Sequence, residues 1–251
     1  MGSYKNNVSC DLYIGSGAGS KFLKELNNAQ ESIKIVSPYL SPSFVQELIK
    51  LHEKNIYVQL VTEDKIEDFY GDYERVAHKL IIQLQKANEE NFQKKSKLEK
   101  YSKILSIFSV FVLALTGGAY YYLEKKLTFL AIPIVMLMFI VSWYLKKRAE
   151  KTVVYTYDYH QLFPFRVYKS RKDNFIHSKI YIIDDKIAYL GSLNFTFSAS
   201  KTNHETRIRT EDKDGLKIIL EAFNDLMNNT EKRHSKDIQE WGKELYDEPI
   251  N

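Results

Sequence analysis

The chain has 251 residues, of which 44% are hydrophobic and 14% aromatic, enough apolar side chain for a packed core and too much for a disordered chain. Its formal charge of +4 suits a polyanionic partner or an anionic membrane surface and does not choose between them. One cysteine, Cys10, excludes an internal disulfide, and no stretch near residue 1 has the basic, apolar and small-residue pattern of a secretory leader, so catalytic parts are expected in a reducing cytosol.

In chain order, Gly15-Ser16-Gly17-Ala18-Gly19 comes first. It precedes the first clear strand, so it reads as a flexible turn leading into a helix and not as a nucleotide-binding loop. Glu31 to Ser37 and Ile56 to Thr62 read as buried strands. Between them Ser41 to Lys54 has helical spacing of Phe44, Val45, Leu48, Ile49 and Leu51, with Pro42 suited to a first helical turn. These three segments form a βαβ unit. From Phe69 to Lys103 the spacing of Val76, Leu80, Leu84 and Ala87 predicts a long polar helix that acts as a stalk.

Two segments without a charge follow, Ile104 to Leu123 and Leu127 to Leu145. Each approaches the roughly 20 residues that a helix needs to cross a bilayer. Pro133 is tolerated inside a membrane bundle, and Gly117 and Gly118 allow close helix contact. Only Glu124, Lys125 and Lys126 separate the segments, which predicts a tight antiparallel hairpin with both outer ends on one side. Lys94, Lys95, Lys97, Lys100 and Lys103 before the first segment, with Lys146, Lys147, Arg148 and Lys151 after the second, place that side in the cytoplasm. The alternative, two core helices of a soluble protein, would have to hide apolar surface all around both.

Beyond the hairpin, Arg166 to Tyr168, Phe175 to Ile183, Ile187 to Leu190 and Glu205 to Thr210 read as short strands, and Asp214 to Met227 and Lys232 to Tyr246 as helices. Strands and helices on both sides of the hairpin predict one α/β domain made from residues 1–68 and 146–251. A stalk (69–103) and a transmembrane hairpin (104–145) interrupt it.

The chemistry concentrates in His177-Ser178-Lys179, Asp184, Gly191-Ser192-Leu193-Asn194 and Asn203-His204-Glu205. In a strand, residues two apart share a face, so His177 and Lys179 would project together. A phosphodiester repels nucleophiles through its anionic oxygens; a lysine that neutralises them beside a neutral imidazole that attacks phosphorus answers that difficulty. Gly191 would let backbone approach a phosphate, and Ser192 and Asn194 offer uncharged donors. Lys169, Arg171 and Lys172 before the motif, and Lys201, Arg207 and Arg209 after it, read either as a phosphate-tracking groove beside Phe195 and Phe197 or as solvated loop charges.

His177, Lys179, Asp184, Gly191, Ser192 and Asn194 together meet every position of the signature of the phospholipase D superfamily, which this sequence resembles. The run Gly191 to Thr196 and the later Glu205 look like its small bacterial nuclease branch, and Ser32 to Tyr39 is similar to the amino-terminal part of such domains. The resemblance implies a phospholipase D-like mixed β-sheet flanked by helices and a covalent phosphohistidine on His177. It also implies phosphate contacts from Lys179, Ser192 and Asn194, imidazole orientation by Glu205, and a bracing role for Asp184. The chain has one such motif where the chemistry needs two histidines, so the resemblance implies a homodimer joined through the catalytic faces. No cofactor or metal is expected: nothing has zinc-ligand spacing. The expectation is a phosphodiesterase at the cytoplasmic face of the inner membrane, acting on nucleic acid in the first reading and on phospholipid in the second. A non-catalytic membrane scaffold is the third reading.

Overall fold

The computed structural model describes residues 4–64, 77–123, 130–170, 176–229 and 234–246. The chain divides into two compact units, Met1–Gln83 with Tyr159–Asp247 and Leu84–Asp158 with Glu248–Asn251.

The first unit is built on the βαβ segment legible in the sequence. Strand β1 (Asp11–Ser16) and helix α1 (Gly19–Asn27) precede it; β2 (Ser32–Val36), α2 (Pro42–Glu53) and β3 (Tyr57–Glu63) form it. A 3₁₀ turn, Ala77–Leu80, leads to β4 (Ile81–Ala87). After the second unit come β5 (Tyr155–Gln161), β6 (Phe165–Tyr168), β7 (Ile180–Ile183) and β8 (Ile187–Gly191). Helix α5, in the chain's own order after two helices of the second unit (α3, Glu89–Leu123, and α4, Ala131–Glu150), spans Phe197–Lys201; β9 (His204–Thr210), α6 (Lys213–Asn228) and α7 (Ile238–Leu245) complete the described elements.

Seven strands make one mixed sheet in the order β1-β9-β8-β7-β2-β3-β6. β2, β3 and β6 are parallel, and the pairs from β2 to β7 through to β9 and β1 are antiparallel. The period of two along each strand separates the faces. Val36, Ile180, Ile182 and Ala188 meet Leu216, Ile219 and Phe223 of α6 on one side. On the other, Tyr181 and Tyr189 meet Phe22 of α1 at ring distances of 4.5 and 5.4 Å, and Phe195 lies 5.9 Å from Tyr181. Aliphatic packing thus fills one face, and an aromatic cluster fills the face that carries the candidate site.

Three sequence expectations change. A strand, β1, leads into the Gly15–Gly19 run and includes its first two residues, but it is an antiparallel edge strand paired with β9, not the opening of a parallel nucleotide-binding unit. The run of Phe175 to Ile183 is a strand only from Ile180: the ladders to β2 and β8 both end there, at Val36 and Leu190. Phe175 lies outside the described residues. The polar helix read from Phe69 is a strand at Ile81–Ala87, and the helix begins at Glu89; residues 69–76 lie outside the described residues. The helical stripe misled because Leu80 and Leu84 satisfy a period of four while Ile82 and Leu84 satisfy a period of two. The deciding partner, the alternating tyrosines of β5, is some seventy residues away in the chain. Backbone bonds from Leu162 N to Leu80 O (2.9 Å) and from Asn88 N to Val154 O (2.8 Å) run β4 and β5 in opposite directions.

In the second unit α3 and α4 pack along a seam of small residues. Ser102 and Ser109 on α3, and Val135, Ser142 and Ala149 on α4, are buried at seven-residue intervals, the repeat of a coiled-coil contact. The Ser142 hydroxyl reaches Ser102 O (2.8 Å) and Ser106 Oγ (2.9 Å). Away from the seam, Ile107, Phe111, Leu137, Ile140 and Trp143 are among many exposed apolar side chains. Over Glu89–Tyr122, α3 is long and apolar enough to cross a membrane. Residues 124–129, the expected joint Glu124 to Lys126 and the first three residues of the second expected span, lie outside the described residues.

A Cβ added to Gly191 would fall 2.0 Å from the Thr206 carbonyl oxygen, and the glycine has φ +150°. Glycine at this position lets β8 approach β9; the expected approach to a phosphate is not what demands it. Gly191→Ala should therefore cost about 3 kcal/mol, read as a lower apparent Tm of the full chain in detergent. An unchanged Tm would mean that the two strands do not meet so closely.

Candidate active site

Strand ends deliver the site. Ile176 to Lys179 run past the end of β7, Gly191 and Ser192 leave β8, and Glu205 sits at the start of β9. All these ends point the same way because β7 and β9 enter the sheet where β8 leaves it. His177 is exposed and Lys179 is buried, and neither belongs to a strand, since β7 begins at Ile180. The Lys179 ammonium turns back to donate to the carbonyl of His177 at 2.6 Å. Burial pushes the Lys179 pKa below the ordinary lysine value, and the charges of Glu205 and Glu63 oppose that shift.

Glu205 is buried and accepts from the Ser192 hydroxyl and from Asn203 Nδ2, the latter at 3.3 Å. Ser192 Oγ in turn accepts from Thr206 N–H at 3.0 Å, and Ser192 N–H donates to Thr206 O at 3.0 Å. Its one hydroxyl hydrogen is therefore committed to Glu205. Ser192 clasps β8 to β9, and it could serve a phosphate as donor only by releasing that carboxylate.

The 193–195 turn is fixed from three directions. Tyr181 OH donates to Leu193 O (2.6 Å), Phe195 N–H to Ser37 Oγ (3.0 Å), and Ser41 N–H to Phe195 O (3.0 Å). Burial raises the Tyr181 pKa strongly, so the phenol keeps its proton for Leu193. Asn194 is held on this turn with its Oδ1 buried and without a hydrogen-bond partner, an arrangement that costs free energy until a donor reaches it.

Asp184 stands apart from the chemistry. Its carboxylate accepts backbone N–H from Gln30 (3.1 Å), Glu31 (2.8 Å) and Ser32 (2.9 Å), and its φ is +52°. Burial alone would raise its pKa; the three N–H groups and Lys186 outweigh this and hold it below the ordinary carboxylate value. The side chain ties the β7–β8 turn to the start of β2.

Two residues of the expected basic groove are committed elsewhere. Arg207 is buried, donates to Ala18 O and lies 5.0 and 5.5 Å from the rings of Tyr13 and Tyr189. Arg209 is bound by Glu25 and Glu211, with Asp11 at 3.8 Å. Alternation along β9 put both on the same face as Glu205, and the aromatic cluster covers that face. Lys201 is exposed and Lys169 half-buried; Arg171 and Lys172 lie outside the described residues.

Sequence reasoning missed Glu63. It ends β3, is 2% exposed, and its Oε1 accepts the Ile176 N–H at 2.6 Å. It therefore grips the backbone one residue before His177, and its charge supports the Lys179 ammonium. A carboxylate ending an otherwise uncharged strand, Tyr57–Glu63, was the available signal. Among the described residues no group of three or more acidic, histidine or cysteine side chains could hold a metal ion.

The family profile described as "Cardiolipin synthase, PLD-like domain" matches residues 22–227. Direct comparison with curated protein sequences finds no match. Among solved structures, the chain is similar to Nuc, a phospholipase D family member from Salmonella typhimurium. The identity is 14% and the TM-score 0.44, over 91% of this chain and 98% of that one. It is similar to NucT from Helicobacter pylori at 14% identity and TM-score 0.43, over 92% and 100% of the two chains. Phosphatidylserine synthase from Haemophilus influenzae Rd KW20 aligns at 16% identity and TM-score 0.44, over 97% of this chain but 42% of that one.

Two measurements follow from this geometry. Asp184→Ala should cost about 3 kcal/mol at neutral pH, through three lost charge-assisted bonds and a left-handed backbone position. Because the folded pKa lies below the unfolded one, that stability is present above the unfolded pKa and is lost as pH falls through the folded one. The wild-type and variant unfolding curves should therefore converge in acid; curves that stay parallel would remove the ionic part of the argument. Glu63→Gln keeps an acceptor for Ile176 and deletes a charge that raises the Lys179 pKa. The alkaline limb of kcat/KM on a chromogenic phosphodiester should move to lower pH, and a limb that stays in place would separate Glu63 from Lys179.

Proposed function

The chain belongs to the phospholipase D superfamily of phosphodiesterases, and from that membership we propose that it is a membrane-anchored, metal-independent nuclease whose active site is completed by a second copy of the chain. The observation that carries the reading is an exposed His177 beside a buried lysine whose ammonium is directed back to the histidine's own carbonyl. A nucleophile open to solvent and a desolvated cation held next to it are what attack on a phosphodiester requires.

In this reading the neutral imidazole of His177 attacks phosphorus and the bond from phosphorus to the leaving oxygen breaks. The partner's His177 gives its proton to that oxygen. It then takes a proton from water, whose oxygen adds to phosphorus as the bond to the imidazole breaks. Lys179 offsets charge on the non-bridging oxygens, and the Asn194 amide nitrogen, the donor of that side chain, contacts the phosphate. Glu205 orients the imidazole; its tie to Ser192 makes the two residues one unit. One motif per chain supports a dimer, since one histidine cannot serve both sides of phosphorus. Arg171 and Lys172 remain candidates for tracking a nucleic-acid backbone, whereas the burial and pairing of Arg207 and Arg209 confine such a groove to fewer charges.

The exposed apolar surface of α3 and α4 supports the hairpin reading: two spans, residues 104–123 and 127–145, with both termini and the catalytic unit on the cytoplasmic side, where flanking lysines are densest. The same anchor favours a second reading, hydrolysis of a phospholipid such as cardiolipin, because it would hold the site near that substrate. Nucleic acid takes precedence on the likeness of the Gly191 to Thr196 run and Glu205 to the nuclease branch.

The test offers the purified full chain labelled single-stranded DNA, duplex DNA, RNA and cardiolipin liposomes, with and without chelator. Nucleic-acid cleavage that survives chelator and falls at least about 10³-fold in His177→Ala is expected. Hydrolysis of lipid alone would transfer the function to the second reading. Undiminished turnover without the imidazole, or full activity from a monomer, would end the mechanism.

A further inference from the structure

The last turns of α4 carry a feature that the chemistry above does not use. Trp143, Tyr144, Lys147, Arg148 and Lys151 line a cleft of about 460 Å³. At 100° per residue these five positions occupy one side of the helix, and the seam positions Ser142, Leu145 and Ala149 occupy the opposite side. The cleft therefore faces away from α3. Trp143 and Tyr144 are 62% and 56% exposed. Lys147 is paired with Glu150 at 2.9 Å, whereas Arg148 and Lys151 have no ion pair among the described residues.

We infer that this cleft binds the phosphate headgroup of an anionic glycerophospholipid, a proposal that rests on the membrane reading of the helical pair. Three observations select this occupant. The cations stand at one end of a long exposed apolar surface, with Ile134, Leu137, Ile140 and Val141 on the preceding turns. That surface suits acyl chains, and a soluble polyanion would leave it bare. The two aromatic rings lie between the apolar and cationic zones, the level at which indole and phenol prefer a bilayer boundary. Arg148 offers a planar fork for two phosphate oxygens, Lys151 adds a point charge one turn further, and neither must break an existing pair to do so. A lipid held here would be a fixed part of the anchor, and its headgroup charge would complement the cations that set the orientation of the chain.

The experiment uses the full chain in nanodiscs of phosphatidylcholine into which brominated phosphatidylglycerol or brominated phosphatidylcholine is titrated, with tryptophan emission as the readout. Trp143→Phe supplies the blank, because the other tryptophan, Trp241, is buried in the first unit. Half-quenching should occur at a mole fraction roughly tenfold lower for the anionic lipid. In the Arg148→Ala/Lys151→Ala double variant the two lipids should become about equal while quenching by brominated phosphatidylcholine persists. Equal titrations in the wild type, or a preference that survives the double substitution, would overturn the site. Displacement of the anionic lipid by inorganic phosphate at constant ionic strength would assign a free-anion site and overturn the lipid. Absence of quenching by either lipid would overturn the membrane reading itself, a result distinct from loss of headgroup preference.

Discussion

Asp184 joins two halves of a chain that sequence keeps far apart. The parallel strands β2 and β3 come before the second unit and the antiparallel run β7, β8 and β9 comes after it. They form one sheet only because β7 pairs with β2. At the end of that pairing the Asp184 carboxylate collects three backbone N–H groups from residues 30–32, and Asp184 N–H returns a bond to Ser32 O at 2.8 Å. Register is strict in such a ladder, because a slip of one residue would turn Ile180 and Ile182 from α6 to the opposite face. His177 stands three residues before the first paired position, so the same register sets where the proposed nucleophile lies.

The site built on that frame concentrates charge where water is scarce. Lys179 is 4% exposed, Glu63 2% and Glu205 6%, and each would be costly to bury alone. Glu205 and Glu63 both favour the charged form of the Lys179 ammonium, which burial disfavours. The ammonium itself is held on the His177 carbonyl at 2.6 Å. Ser192 is caught in the same balance, since its hydroxyl hydrogen serves Glu205.

The parts legible in the sequence were those fixed by local pattern. The βαβ unit appeared because Ile33, Ile35, Val58 and Leu60 lie in short apolar runs around a well-spaced amphipathic helix. The motif residues appeared because their spacing is itself the signal. Long-range pairing defeated the rest: β1 reads as polar and mixed, DLYIGS, and becomes a strand by pairing with β9. β4 becomes one by meeting β5. Arg207 and Arg209 looked available because charge alone does not reveal a carbonyl at Ala18 or a carboxylate at Glu25 waiting for them. Glu63 lay one residue past the strand read as Ile56 to Thr62, and its grip on Ile176 depends on a contact across more than a hundred residues.

The bond from Asn88 N to Val154 O, at 2.8 Å, means that α3 and α4 leave and rejoin the chain at adjacent points. Loop closure depends only weakly on how many residues lie between two ends that already touch. The helical pair is thus attached through a doorway two strands wide, and the chain on either side of it needs no particular length or composition between those posts. A short turn from β4 to β5 would satisfy the same backbone groups. The sheet is therefore indifferent to how much chain is inserted between Asn88 and Val154.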